Sequence, residues 1–465
     1  MTSTASSPRP AMVSRRSVLG GAAALTGALI VPGSALAAPS VPHRAHPHTD
    51  DAPVNYHAYT NFLDWHSGDK DGAVVWPGLR TGIVIGRPAG TTSYTDPHTG
   101  TTADWEYATW TSPTHRLPDS ATELVASWNA DTPAGTWIQI EMQGNYNDGK
   151  TTPWYVMGRW ASGDGDIRRT SLDDQGDDYS GVYTDTFQVD SSDAADGIVL
   201  TDYQLRVTLY RTPGSHRTPL VYRVGAFASK IPPRFDVEAS TFGLRRGVEL
   251  PVPRLSQDVH VGEYPEYDGG GEAWCSATST TMVLEYWGKH PTARQLAWVD
   301  PSYQDPQVDY SARFVYDYQY EGCGNWPFNA AYAASYGGLD TIVTQLRSLN
   351  EAEQLISHGI PVVCSVSFYE SELDGAGYNT SGHLLTMIGF TDEGDVIIND
   401  PVSPDDEGVR RVYKRHQFET IWLRTQRHLT SGSIGSGSGG VAYLYKSARL
   451  PWPSVTNRRN PGWGN

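Results

Sequence analysis

Cysteine is scarce in this chain: its 465 residues include three, Cys275, Cys323 and Cys364. A fold stapled by disulfides carries more of them and an even number, so an odd count leaves at least one thiol unpaired. Positive charge is also short, with 35 Lys and Arg against 52 Asp and Glu and a formal net charge of -17. Such a balance repels phosphate backbones and anionic bilayers at long range, which argues against nucleic acid as a partner. After the N-terminal forty or so residues no apolar run is long enough to cross a bilayer, so no stable membrane insertion is expected. Charged residues are only 19% of the chain, whereas 15 Trp, 26 Tyr and 47 Gly favour short strands and turns over long solvated helices.

What is present begins with an address. Ser14-Arg15-Arg16-Ser17 precedes the apolar, small-residue run 20–31, and Ala35-Leu36-Ala37 supplies the small-x-small pattern of a cleavage site. This resembles the signal of the twin-arginine (Tat) route, with Val18 where Phe is more usual. It implies removal of residues 1–37 and a secreted product. The competing reading is an uncleaved anchor, but the run is short and rich in Gly and Ala, and no Cys follows it to take a lipid. Residues 38–54, rich in Pro, His and Asp, read as a flexible leader in which His43, His46 and His48 are weak metal ligands at best.

The remaining chain divides in two. From 55 to 246 short alternating stretches, such as 136–142 and 203–209, lie between Gly, Asp, Pro and Asn clusters, with no convincing helix. This predicts an all-β sandwich. From 247 the pattern changes: residues 276–287 and 349–358 read as helices, and 362–368, 383–390 and 395–399 as strands. The second unit, 247–465, is therefore α+β, and each unit is expected to fold alone.

A thiol needs help to become a thiolate, and a helix N-terminus provides positive potential and free backbone N–H groups. Cys275 stands at the start of a predicted helix, which gives it that setting. A base must lie in reach, and a third polar group must orient the base. His383 opens one apolar strand and Asp400 closes the next, so neighbouring strands would bring both to one end of a sheet. Gln257 would then offer its side-chain amide to an oxyanion, with the Cys275 N–H as second donor. Each residue alone has a plainer reading: an inert core thiol, a satisfied strand histidine, a turn aspartate before Pro401.

Together, Pro253-Arg254-Leu255-Ser256-Gln257, the stretch from Gly271 through Trp274-Cys275 to Ser279 with Met282, Gly382-His383-Leu384 and Asn399-Asp400-Pro401 resemble successive blocks of the bacteriocin-leader peptidase-like family. The resemblance covers about residues 247–427 and is to an exported actinobacterial type with an N-terminal β-sandwich module. It implies a papain-like cysteine peptidase unit in which Cys275 is the nucleophile, His383 the base, Asp400 the orienting group and Gln257 an oxyanion donor. Ser276 and Ala277 stand where the family often has Gly and Pro. The family's transporter-fused members cut after paired glycines; no transporter lies in this chain, so that specificity is not carried over.

The expected substrate is a peptide or protein, and no cofactor or metal is expected. Two other readings stay open: a cell-wall peptide hydrolase or acyltransferase on the same fold, and an inactive surface- or glycan-binding protein. Cys323 reads as a loop thiol and Cys364 as a buried strand thiol, with their mutual pairing open. Asp164, Asp166, Asp173, Asp174, Asp177 and Asp178 form an acidic stretch that suits a solvated loop better than a calcium site. Tyr107, Trp110, Trp128, Trp137, Trp154 and Trp160 are candidates for a sugar-stacking platform that would give the first unit a glycan or cell-wall contact, although alternating aromatics usually fill a core. Loops 303–325 and 371–382 are expected to wall the substrate cleft.

Overall fold

The computed structural model describes residues 53–453. The twin-arginine run, its cleavage site and His43, His46 and His48 lie outside them. In the first unit the two alternating stretches pair with each other: strand Thr136–Tyr146 lies antiparallel to Leu200–Arg211, with Ile138 opposite Leu209, Ile140 opposite Val207 and Met142 opposite Leu205. Because side chains alternate along a strand, these six face one side together and are fully buried there. The sheet they belong to has seven strands and packs on a second, eight-stranded one, which completes an all-β sandwich. Two short helices, Phe62–Ser67 and Ser191–Ala195, interrupt the strands where none was expected. The first is closed by a reciprocal cap between Asn61 and Asp64, a signal too local to carry apolar periodicity.

In the second unit the chain enters through β1 (Val248–Glu249) and then forms α1 (Cys275–Tyr286), α2 (Pro306–Val315) and α3 (Trp326–Ser335). There follow β2 (Leu339–Gln345), α4 (Leu349–Ser357), β3 (Val362–Phe368), β4 (Thr380–Phe390), β5 (Val396–Asn399), β6 (Arg410–Tyr413), α5 (Arg415–Leu423) and β7 (Val441–Ser447). The strands form one antiparallel sheet in the order β2-β7-β3-β4-β5-β6, with β1 on the far end of β4. Segment 303–325, expected as a loop, contains α2: Pro306 opens the helix with a preset φ, and Val308, Ala312 and Val315 supply a buried stripe.

Helix α1 is buried from Ser276 to Leu284 although five of those nine residues carry hydroxyls. Four of the five hydroxyls have a partner in a neighbouring element, and the fifth, on Thr278, has none. Ser276 meets the Tyr443 hydroxyl at 3.0 Å, Ser279 donates to the Leu384 carbonyl at 3.1 Å, Thr280 donates to Asn329 at 3.1 Å and Thr281 to Ser311 at 2.7 Å. Burial without such partners would cost more than the apolar contacts return.

The expectation that each unit folds alone meets an extensive junction. Phe328 on α3 inserts between Trp128 and Trp160 of the sandwich, with ring centroids 6.1 and 5.3 Å away. Asn129 exchanges hydrogen bonds with the Thr341 backbone, and Arg223 grips Asp340 through two contacts of 2.6 and 3.0 Å. Arg169, fully buried, crosses to the carbonyls of Arg313 and Tyr316. One continuous apolar core therefore runs through both units. This also revises the aromatic platform: Trp110, Trp128, Trp137 and Trp160 are buried, which leaves only Tyr107 and Trp154 partly open. The acidic stretch is occupied too, since Asp164 pairs with Arg313, Asp166 accepts from the Gly135 N–H and Asp177 from Tyr146.

Candidate active site

Cys275 is the first residue of α1, partly exposed at a helix N-terminus, where the first-turn N–H groups have no intrahelical acceptors. Its neighbour Trp274 anchors that start by donating its indole N–H to the Tyr267 carbonyl at 2.6 Å. His383 lies on β4 and Asp400 directly follows β5, the adjacent strand. The register places both at the same end of the sheet, with His383 Nε2 2.9 Å from Asp400 Oδ1.

Nδ1 is then the ring nitrogen left for Cys275. Burial alone would lower the His383 pKa, but the Cys275 thiolate and the Asp400 carboxylate together push it up to about 10. Asp400 is fully buried and also has burial against its charge, yet His383, Arg411 and Tyr413 hold its carboxyl below the usual range. Tyr378 donates to it at 2.9 Å and Tyr413 at 2.8 Å, while Arg411 stands 3.8 Å away. The Tyr378 ring stands edge-on to the imidazole, 5.6 Å between centroids. The arrangement can hold an imidazolium between two anions, the charge pattern a nucleophilic thiolate requires.

Gln257 is buried beside the segment that leads into Cys275. Its Nε2 donates to the carbonyls of Gly271 at 3.0 Å and Glu272 at 2.9 Å, and its Oε1 has no partner. Flipping the amide would set an oxygen against two carbonyls, so this orientation is fixed by its surroundings. In the resting chain the amide therefore braces the turn before Cys275 instead of presenting a free donor.

The structure thus brings His383, Cys275 and Asp400 together and sets Gln257 against the approach to Cys275. Cys323, in a loop, and Cys364, in a strand, are unpaired, fully buried thiols whose pKa burial raises. Sequence reading missed Tyr378, Arg411 and Tyr413, whose role depends on a sheet register that no local pattern carries. It also missed Asp258, which directly follows Gln257; burial pushes its carboxyl up to about 6, with His383 and Arg411 opposing and Asp400 and Glu272 adding to the rise.

Residues 249–429 match the model of the peptidase C39-like family, and residues 55–229 match that of the peptidase C39 N-terminal domain. Residues 249–429 are thus a C39-like region. It carries Gln257, Cys275, His383 and Asp400 in that order, all within the matched residues. The sandwich preceding the C39-like region is the part that matches the peptidase C39 N-terminal domain. A solved structure assigned as a C39-like peptidase from Bacillus anthracis shares 18% identity, covering 43% of this chain and 97% of its own, with a TM-score of 0.27. Among curated proteins none matches the chain.

Proposed function

We propose that this chain is an exported cysteine peptidase that cleaves peptide bonds through Cys275, His383 and Asp400. The observation that carries the proposal is the His383 ring, paired to buried Asp400 through Nε2 and coupled to Cys275. In this reading the Cys275 thiolate attacks the scissile carbonyl and the His383 imidazolium protonates the leaving amine. His383 then takes a proton from water, which releases the acyl-enzyme as a free acid and restores the ion pair. Asp400 keeps Nδ1 aimed at the sulfur throughout.

The oxyanion donors of the proposal are the Cys275 backbone N–H and the Gln257 amide. The latter must exchange a bond to the Gly271 or Glu272 carbonyl when substrate binds, a tightening common between resting and occupied sites. Export by the Tat route is part of the proposal and rests on Arg15-Arg16 and the apolar run after them. The test is hydrolysis of a mixed peptide library by the exported chain, with Cys275→Ala beside it. New termini should appear with the parent and be absent with the variant; equal cleavage by both would remove the proposal.

A further inference from the structure

His260, Glu263 and Asp309 are drawn together from two separate segments. His260 closes the short turn Asp258–His260 just past Gln257, Glu263 lies three residues on, and Asp309 sits in α2. His260 Nδ1 is 2.7 Å from Glu263 Oε2 and 3.4 Å from Asp309 Oδ2, and the three donor atoms all lie within 4.8 Å of one another. His260 and Asp309 are both 0% exposed. Neither Asp309 oxygen has a hydrogen-bond partner, and nor has His260 Nε2. A carboxylate in that position calls for a cation, because burial removes the water that would otherwise stabilise its charge. The arginine one turn along α2, Arg313, is engaged with Asp164 of the sandwich instead.

We propose that His260, Glu263 and Asp309 bind one divalent transition-metal ion, of the zinc or manganese kind, that clamps the segment entering Cys275 onto helix α2. An imidazole nitrogen beside two carboxylates suits such an ion, whereas calcium and magnesium prefer oxygen alone. Donors at zinc distances of roughly 2.1 Å stand about 3.4 Å apart in a tetrahedron, the separation His260 and Asp309 already have. The shorter contact to Glu263 is a hydrogen bond that the metal replaces as the shared proton leaves. Access runs past Glu263, whose side chain is 12% exposed while its two partners are closed to solvent.

The clamp would act on the machinery nearby. The His260 ring packs on Trp274 at 5.8 Å, and Gly271 is so close to the turn that a Cβ there would lie 2.4 Å from the Gln257 carbonyl oxygen and 2.5 Å from the His260 carbonyl carbon. Fixing His260 to α2 therefore fixes the segment from Gln257 to Cys275. The site does not depend on the peptidase reading, since its ligands are not the reacting groups.

The experiment uses the full chain carrying Cys275→Ala, which removes a thiolate able to capture the same ions. After stripping with EDTA, it is titrated with Zn²⁺ and, separately, with Mn²⁺ by calorimetry, and its melting is followed with and without each ion. One equivalent should bind and raise the melting temperature. Glu263→Gln, at the most accessible ligand, should weaken binding at least about tenfold and abolish the thermal gain while the chain stays folded. Asp309→Asn should do the same, with greater loss of stability. Absence of stoichiometric binding, or binding unaffected by Glu263→Gln, would overturn the proposal and leave the cluster as a buried proton-sharing group.

Discussion

His383 and Asp400 face each other across adjacent strands, 2.9 Å from ring nitrogen to carboxylate oxygen. The carboxylate is wholly buried and held by two tyrosine hydroxyls, so it has no other orientation to adopt. That pairing fixes which face of the imidazole is turned to Cys275, and it fixes the pH range in which the ring keeps its proton.

With the His383 pKa pushed up to about 10, kcat/KM for peptide hydrolysis should have its alkaline limb near that value. Asp400→Asn removes one of the charges that raise it, so the limb should move to lower pH and kcat should fall by about 10²-fold or more. Stability follows the same groups. The contribution of His383 is complete below about 6.5 and is lost as pH rises through about 10. Asp400, held below its ordinary value, contributes above about 3.9 and loses that contribution as pH falls through its folded value. Melting temperatures of the two proteins across pH would check both signs.

Tyr413→Phe takes a 2.8 Å donor from a buried carboxylate. The expected cost is about 1.5–3 kcal/mol, read from denaturant unfolding, since charge-assisted bonds are the stronger kind. Tyr378→Phe removes the second donor, at 2.9 Å, and keeps the ring edge-on to His383, so its cost should fall in the same range.

Gln257 separates two roles that one substitution can distinguish. If it only braces the Gly271 and Glu272 carbonyls, Gln257→Ala lowers stability by about 1–3 kcal/mol with a modest effect on kcat. As an oxyanion donor it should cost a further 10²-fold or so in kcat with KM little changed. The proposal expects both losses together, measured by unfolding and by steady-state kinetics.

The junction between the two units makes a prediction about the whole chain. Asp340→Ala leaves Arg223, 5% exposed, without its carboxylate partner and should cost about 3–5 kcal/mol. Residues 247–465 produced alone would present Phe328 and the freed face of α3 to water, so they should melt without cooperativity unless residues 53–246 are supplied.

How much of this was legible in the sequence depended on whether the signal was local. Strand β3 was legible in full, because a run rich in valine, broken only by Ser365 and Ser367, follows the Gly359 and Pro361 breakers. The start of α1 was legible through Cys275, and 136–142 and 203–209 were legible as strands with one buried face, whereas their pairing with each other came only with the fold. Helix α3 was not, because Asn325 caps it through a side chain while its apolar residues surround the whole cylinder, leaving no periodic stripe. Tyr413 was invisible as a site residue because it reaches Asp400 only through the register of β5 with β6. The metal-ligand cluster was hidden for the same reason: Asp309 lies far from His260 in the chain and meets it only when α2 packs against the turn.

The most direct measurement is the rate of iodoacetamide labelling of each cysteine in the native chain, mapped by mass spectrometry across pH. Cys275 should react rapidly near neutral pH, and His383→Ala should slow it sharply by removing the imidazolium beside it. Cys323 and Cys364, both 0% exposed, should stay unlabelled until the chain unfolds. Equal labelling of all three thiols in the native chain, or a Cys275 rate unchanged by His383→Ala, would contradict the account.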